Sequence, residues 1–440
     1  RSSRRGRRPG RRPGARGGSG AVRVLVVHNR YRSGIPSGED HVVDREREAL
    51  TAAGHTVERF ERHSDDIAGM SALGKARIPL DLVWNRGAAG DLDRAVTAFG
   101  PDVVHVHNVF PLLSASVLRR CLVRGVPCVV TLHNYRLGCP GSALYRDGAP
   151  CRRCVGRRLA VPAVVHGCYR TSPAATLPVA VAGAATLRTW RTAPSAYLFL
   201  SEALRRELAP LGLPAERCFV KGNFVEPAPA RGPAEPLVAY LGRLTEEKGL
   251  RVLMAAWDRY RAARSGAGGG LRLAVAGTGP LEGELRAWAA GHRSVELLGL
   301  LDRAACADLV GRARAVMAPS EWPEPFGLVV AEAMAAGTVP VATAHGAFAD
   351  MVADGVDGRL YPPGDTGALA GILADLEVAP PEELAAMGAA ARATHRRRFA
   401  PAGNVELLEA AYRFAVEHPR RRVYQAAAPA LSTAHHGRTG

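Results

Sequence analysis

Two doubly wound α/β domains, each a parallel sheet covered by helices and the pair facing a common cleft, are the architecture this sequence predicts. Three observations predict it. Near-continuous apolar runs, as strands buried on both faces show, alternate with helix-like segments in both halves of the chain. A Pro-rich stretch without apolar period, Glu226–Pro236 (EPAPARGPAEP), separates the halves. The 440 residues also exceed what one ordinary core holds.

The elements follow in order. Val22–His28 (VRVLVVH) reads as the first strand, Ser33–Gly38 as a glycine-bearing loop, Glu39–Ala53 as a helix ended by Gly54, and His55–Phe60 as the second strand. Asp102–His107 (DVVHVH) and Pro127–His133 (PCVVTLH) are buried strands on either side of a helix near Ser114–Arg124, and Tyr197–Ser201 and Cys218–Lys221 continue the series. Past the linker the pattern restarts, with strands at Leu237–Gly242, Leu271–Ala276, Val295–Leu298, Ala315–Ala318 and Val339–Thr343. Such alternation makes parallel sheets, whose ligands bind beyond the carboxyl ends of the strands. The expected division is a disordered basic tail at 1–20, a first domain at 21–225 with a Cys-rich insertion at 139–168, and a linker at 226–236. A second domain at 237–400, a C-terminal helix at 401–418 and a loose tail at 419–440 complete it.

Hydrophobic residues make up 47% of the chain and charged residues 22%, the balance of a globular protein with a sizeable core. The formal net charge of +17 is uneven, because residues 1–20 hold eight arginines and no acid. That segment cannot bury an apolar face and reads as a solvated extension. The rival reading is contact with acidic phospholipid or nucleic acid. Leu177–Leu187 is the longest charge-free apolar run and is too short to span a bilayer, and no signal peptide precedes Arg23. The expectation is a cytoplasmic enzyme. Ser172–Trp190, an apolar helix candidate followed by Arg191, reads first as a helix packed in the first domain, with peripheral contact at the inner face of a membrane as the rival reading.

Ser320–Pro340 (SEWPEPFGLVVAEAMAAGTVP) carries the most information. Pro325 and Gly327 stand where a helix begins, and Gly327–Ala336 reads as a short buried helix. Glu332 lies inside it with Leu328, Val329, Ala335 and Ala336 three and four positions away, so its carboxylate is expected to face the interior. A buried acid needs partners, and the paired hydroxyls of a ribose would supply them. Glu324 precedes the helix, where the amides of Phe326, Gly327 and Leu328 make an anion- and hydroxyl-binding terminus. An exposed surface Glu beside a helix-interior Glu is the plainer alternative.

Arg243 and Lys248 lie between the strand VAYLGR and the next helix, so two cations stand at the carboxyl end of the second sheet, as a diphosphate requires. A solvated helix start with ion pairs to Glu246 or Glu247 is the alternative. Gly277 and Gly279, in GTGP after another strand, form a tight turn that lets backbone approach a nucleotide, a weak signal alone.

With these residues in place, the sequence resembles family 4 glycosyltransferases of GT-B fold, in which two Rossmann-like domains face each other. The mark is E-x7-E within an EPFG-type segment, here Glu324 and Glu332 in EPFGLVVAEAMAAG, and the likeness covers Val22–Ala415. The resemblance implies that Glu324 contacts hydroxyls of the transferred sugar, that Glu332 holds the ribose, and that Arg243 and Lys248 of GRLxxEKG contact the donor diphosphate. It implies that Gly38 lies near the donor, although Ser37 stands where the family has a second glycine. His133 of TLHNYR would lie beside the donor sugar, and Asn223 would stand at the hinge. His105 and His107 share one face of their strand by period two, and only His107, at the strand end, is an acceptor-side candidate. A UDP- or GDP-sugar donor, no catalytic metal, a saccharide, lipid-linked or small-molecule acceptor, no specific nucleic acid, retention of configuration, and a C-terminal helix crossing back to the first domain complete what the likeness implies.

Four of the eight cysteines, Cys139, Cys151, Cys154 and Cys168, share one stretch with C-x11-C-x2-C-x13-C spacing. Four thiolates in a reducing compartment suit a structural zinc, with an iron–sulfur cluster or free thiols as the alternatives. Cys121, Cys128, Cys218 and Cys306 stand in apolar contexts and read as small hydrophobes. The enzymatic rival to a hexosyltransferase is a sugar-nucleotide epimerase of the same fold. The rival of another class is a non-catalytic nucleic-acid- or membrane-binding protein acting through its basic tail.

Overall fold

The computed structural model describes residues 20–34, 37–229, 232, 234–264 and 270–420. The predicted basic tail, but for Gly20, and nearly all of the predicted C-terminal tail lie outside these residues, as do parts of the linker.

The predicted pair of doubly wound sheets is what the chain forms. The first sheet has the order β2 (Thr56–His63), β1 (Arg23–Arg30), β3 (Val103–Val106), β4 (Cys128–Leu132), β7 (Ala196–Phe199), β8 (Cys218–Val220), with β5 (Tyr145–Arg146) and β6 (Ala149–Pro150) as a separate hairpin. The second has the order β11 (Val295–Gly299), β10 (Arg272–Ala276), β9 (Glu235–Leu241), β12 (Ala313–Ala318), β13 (Val339–Thr343), β14 (Arg359–Tyr361). All pairings in both large sheets are parallel. The linker ends earlier than the Pro-rich composition suggests, because β9 already begins at Glu235, which pairs with Ala313.

Local chemistry sets the helix starts that face the cleft. Ser37 caps helix Gly38–Ala52 by accepting from the Asp40 amide at 3.1 Å, and Glu39 and Asp40 favour the positive helix start. Its departure from a Gly-Gly pair therefore supplies a cap. Helix Leu328–Ala336 begins one residue later than predicted. Gly327 stands outside it with φ 91°, and a Cβ there would lie 2.2 Å from the Phe348 ring.

One apolar cluster runs from Val27, Val106 and Val130 of the first sheet through Leu200 and Leu204 to Phe326, Val330 and Phe348 of the second domain. Polar ties reinforce it. Ser201 Oγ donates to the Pro325 carbonyl at 2.8 Å, and the Ala203 amide donates to Asp350 at 2.6 Å. Helix Pro401–Glu417 then returns to the first domain and buries Leu408, Ala411, Tyr412 and Ala415 against Val24, Val26, Val103 and Val129. No helix among the described residues is long and apolar enough to cross a membrane.

Candidate active site

In the second sheet the chain winds from β9 out to β11 on one side and from β12 out to β14 on the other. The crevice between the carboxyl ends of β9 and β12 is therefore the switch point at which such sheets bind ligands. The loops that leave these two strands carry Lys248 and Glu324. The Lys248 ammonium lies 2.5 Å from Glu324 Oε1, and Ser320 Oγ donates to the same oxygen at 2.7 Å. Burial pushes the Glu324 carboxyl up, but Lys248 and Ser320 outweigh it and hold the group below its ordinary range. Lys248 also stands 5.3 Å from the centre of the Trp322 ring. Arg243, half exposed on the same loop, pairs with Glu247 at 3.1 Å, so the two predicted cations face different carboxylates. Gly277 and Gly279 prop this loop. A Cβ on Gly277 would sit 1.8 Å from the Gly242 carbonyl, one on Gly279 would sit 2.5 Å from that of Leu244, and the Leu244 amide donates to Thr278 at 3.0 Å.

The Phe326 side chain is buried against Phe399, whereas the amides of Phe326, Gly327 and Leu328 donate to no protein acceptor among the described residues. Glu332 departs from the expectation of an interior carboxylate. Leu328, Val329 and Glu332 share a half-buried face, and the fully buried positions of the helix are Val330, Ala331 and Ala333–Ala336. Apolar neighbours in sequence could not separate a core face from a cleft wall. Glu332 lines an interdomain pocket of about 340 Å³ with His41, Arg45, Arg303 and Leu328. It has no hydrogen bond or ion pair among the described residues, and burial pushes its carboxyl up, with Arg303 opposing. The first domain closes on this helix start, where a Cβ on Gly38 would touch Leu328 at 3.3 Å.

The first sheet has its own switch point between β1 and β3. There a pocket of about 790 Å³ is lined by Glu39, Asn108, Phe110, His133 and Arg136, with helix Pro173–Thr192 as its far wall. His133 Nε2 and His107 Nδ1 share a hydrogen bond of 2.9 Å, and burial holds both rings well below the ordinary histidine range. His105 belongs to the core. Its ring bonds Tyr412 and Thr131, each at 2.8 Å, and burial lowers it to about 3. Behind His107 lies a buried ion pair of Glu46 and Lys221. Glu46, His105 and His107 are the one group of three metal-type ligands within 4.8 Å of one another among the described residues. Lys221 pairs with one Glu46 oxygen, Tyr412 and Thr131 hold His105, and His133 holds His107, while the second Glu46 oxygen is buried without a hydrogen-bond partner, 3.8 Å from His107 Nε2. Asn223 is buried at the domain junction with its Oδ1 unpaired, beside Gly222, whose carbonyl accepts from Asn404 at 2.6 Å.

Sequence reasoning missed Glu39, Arg136, Ser320 and Trp322. Each adjoins a motif residue, but side-chain direction in a loop has no periodic signal. The cysteine quartet gathers on one side of the first domain, around the β5–β6 hairpin and helix Val161–Val165. Burial raises Cys154 and Cys168, and their neighbours in the quartet add to it. The four thiols stand close enough to perturb one another, and among the described residues no three of the sulfurs lie within 4.8 Å of one another.

Two family models match the chain, Glycosyltransferase Family 4 over residues 36–228 and Glycosyl transferases group 1 over 235–377. Glycogen synthase of Mycobacterium tuberculosis is 28% identical over 390 residues, 79% of this chain and 84% of its own length. Phosphatidyl-myo-inositol mannosyltransferase of Mycolicibacterium smegmatis is 40% identical over 146 residues, 31% of this chain and 36% of its own. Among solved structures, sucrose-phosphate synthase from Thermosynechococcus elongatus superposes with TM-score 0.63 at 20% identity, covering 89% of this chain and 98% of that one. Anabaena HepE in complex with UDP and glucose gives 0.59 at 18%, covering 88% and 99%.

Proposed function

The chain belongs to glycosyltransferase family 4 and has the two-domain GT-B fold, and from that premise we propose that it transfers a sugar from a nucleotide-sugar donor to an acceptor hydroxyl with retention of configuration and without a catalytic metal. The observation that carries this reading is the Lys248–Glu324 pair at the switch point of the second sheet. It holds an ionised acid and a cation where a sugar and its diphosphate would meet. HepE was solved with UDP and glucose, which supports a donor of the same chemical kind for this chain.

In this reading Glu332 takes the ribose hydroxyls, and Gly277 and Gly279 hold the Arg243 loop toward the nucleotide. Arg243 and Lys248 turn to the diphosphate once it is bound, and the free amides of Phe326, Gly327 and Leu328 join Glu324 on the sugar and phosphate. As the bond from the anomeric carbon to the diphosphate oxygen breaks, the cations stabilise the charge left on the diphosphate. The acceptor oxygen bonds to the same face of that carbon, and its proton passes to the departing diphosphate. The two cations take the place of a metal ion in this step. His133 and Gly38, across the cleft, position the sugar and exclude water. The acceptor, a saccharide or a lipid-linked molecule, enters through the first-domain pocket.

The test is a panel of UDP- and GDP-sugars, with anomeric configuration read by NMR in the presence of a chelator. Retained product formed with chelator present supports the proposal, and inverted product or loss of turnover on chelation refutes it.

A further inference from the structure

Arg136 brings to the first-domain pocket a positive charge that the mechanism leaves unused. Its guanidinium stacks on Phe110, 4.1 Å from the ring centre, and faces Tyr169 at 5.7 Å. One terminal nitrogen donates to the Pro140 carbonyl at 3.0 Å, and no carboxylate among the described residues pairs with it. The nearest acid in the pocket is Glu39, which already accepts from the Tyr31 hydroxyl at 3.0 Å and which burial pushes toward its neutral form. A stacked arginine with an open edge and no counter-charge is the usual receptor for a phosphate.

The surroundings say what the phosphate is attached to. Arg136 also borders a second hollow of about 410 Å³, which shares Leu137, Val179 and Gly183 with the first. Arg157 and Arg158 stand on its rim, and Ala180, Leu187 and Leu211 form its floor. Around it the chain exposes aliphatic side chains on helices Val161–Val165 and Pro173–Thr192, namely Val161, Val165, Leu177 and Val181. Polar groups line the His133 side, cations stand in the middle, and an apolar surface lies beyond.

Resting on the glycosyltransferase reading, we propose that the acceptor is a phosphate-bearing amphiphile, a lipid-linked sugar phosphate or diphosphate. Arg136 binds the phosphate, its sugar hydroxyl points toward His133, and its hydrocarbon lies along the hollow and helix Pro173–Thr192. An anion at this position gains a desolvated, charge-assisted contact, and the tail gains apolar cover.

Calorimetry on the full chain separates this from the reading beneath it. UDP and GDP are titrated first, and if neither binds, the reading of a UDP- or GDP-sugar donor beneath this proposal fails. With the second-domain site saturated by the nucleotide that binds, farnesyl diphosphate, inorganic pyrophosphate and farnesol are titrated in turn. The expected result is binding of farnesyl diphosphate at least tenfold tighter than of either other probe. Arg136→Gln weakens it at least tenfold, and Arg136→Lys, which keeps the charge and loses the fork, weakens it less. Nucleotide titration of each variant checks that it is folded. Equal binding of farnesyl diphosphate by wild type and Arg136→Gln overturns the proposal. Farnesol binding as tightly as the diphosphate removes the phosphate, and pyrophosphate binding as tightly removes the lipid.

Discussion

Lys248 and Glu324 are 76 residues apart in sequence, yet their side chains meet at 2.5 Å, because the strands before them, β9 and β12, are neighbours. Without donor, each satisfies the other. With donor, the proposal has the ammonium turn to the diphosphate and the carboxylate to sugar hydroxyls.

Replacing Lys248 by Met should therefore act twice. It weakens donor binding, and it frees Glu324 to follow its burial, so the carboxyl titrates higher. Ionised Glu324 is the working form, so activity must then be lost at a higher pH on the acidic side than in wild type. The expected loss in kcat/KM is about 10²–10³-fold, the size seen when one charge-stabilising donor is removed. A pH–rate profile in which the acidic limb stays in place would refute the coupling.

Glu332→Ala should raise the nucleotide Kd by about 10–100-fold, the worth of hydrogen bonds to a charged group, while kcat with saturating donor changes little. Glu324→Gln should do the reverse, abolishing transfer while nucleotide still binds. Calorimetry and initial rates on both variants decide the assignment, and indistinguishable profiles would remove the division of labour between the two acids.

Gly327→Ala should be costly in fold as well as activity. The φ of 91° disfavours any side chain, and the new methyl would occupy space filled by the Phe348 ring. A loss on the order of 2–4 kcal/mol is expected, read as a lower midpoint in chemical denaturation. Phe348→Leu in the same chain should recover part of it, and no recovery would mean that backbone strain alone is at work.

Much of this was legible in sequence. Both sheets followed from buried apolar runs, and the Lys248 and Glu324 loops from strand ends beside glycine, proline and charge. Helices Ala72–Asp81 and Arg86–Phe99 were not, since the first buries no side chain and the second opens with small residues. Strand β14 spans only Arg359–Tyr361, too short for a period. Glu332 was found, but its exposure was misjudged, because helical spacing identifies neighbours on a helix and not the element or cleft they face. Arg136 was passed over because nothing in TLHNYR says that a loop arginine will stack on Phe110.

Acid should unfold the first domain in a window that one residue helps to define. His105 is neutral when folded, lowered from the ordinary 6.5 to about 3. In the unfolded chain it takes up a proton below about 6.5, so its contribution is complete above that pH. The contribution declines as pH falls from there toward 3, by a few kcal/mol in all. His105→Gln should flatten the fall of stability with pH across this window, measured by urea unfolding at a series of pH values, even though it lowers stability at neutral pH.

The return of helix Pro401–Glu417 bears on how the protein can be dissected. A fragment cut where the first family match stops, at residue 228, would present the valines of β1, β3 and β4 to water with no cover for them. Leu408 and Tyr412 alone bring about 3–6 kcal/mol of burial. The first domain is thus a domain by shape but borrows its last layer from a helix that follows the whole second domain, so a nascent chain cannot finish it until residues 401–417 have been made.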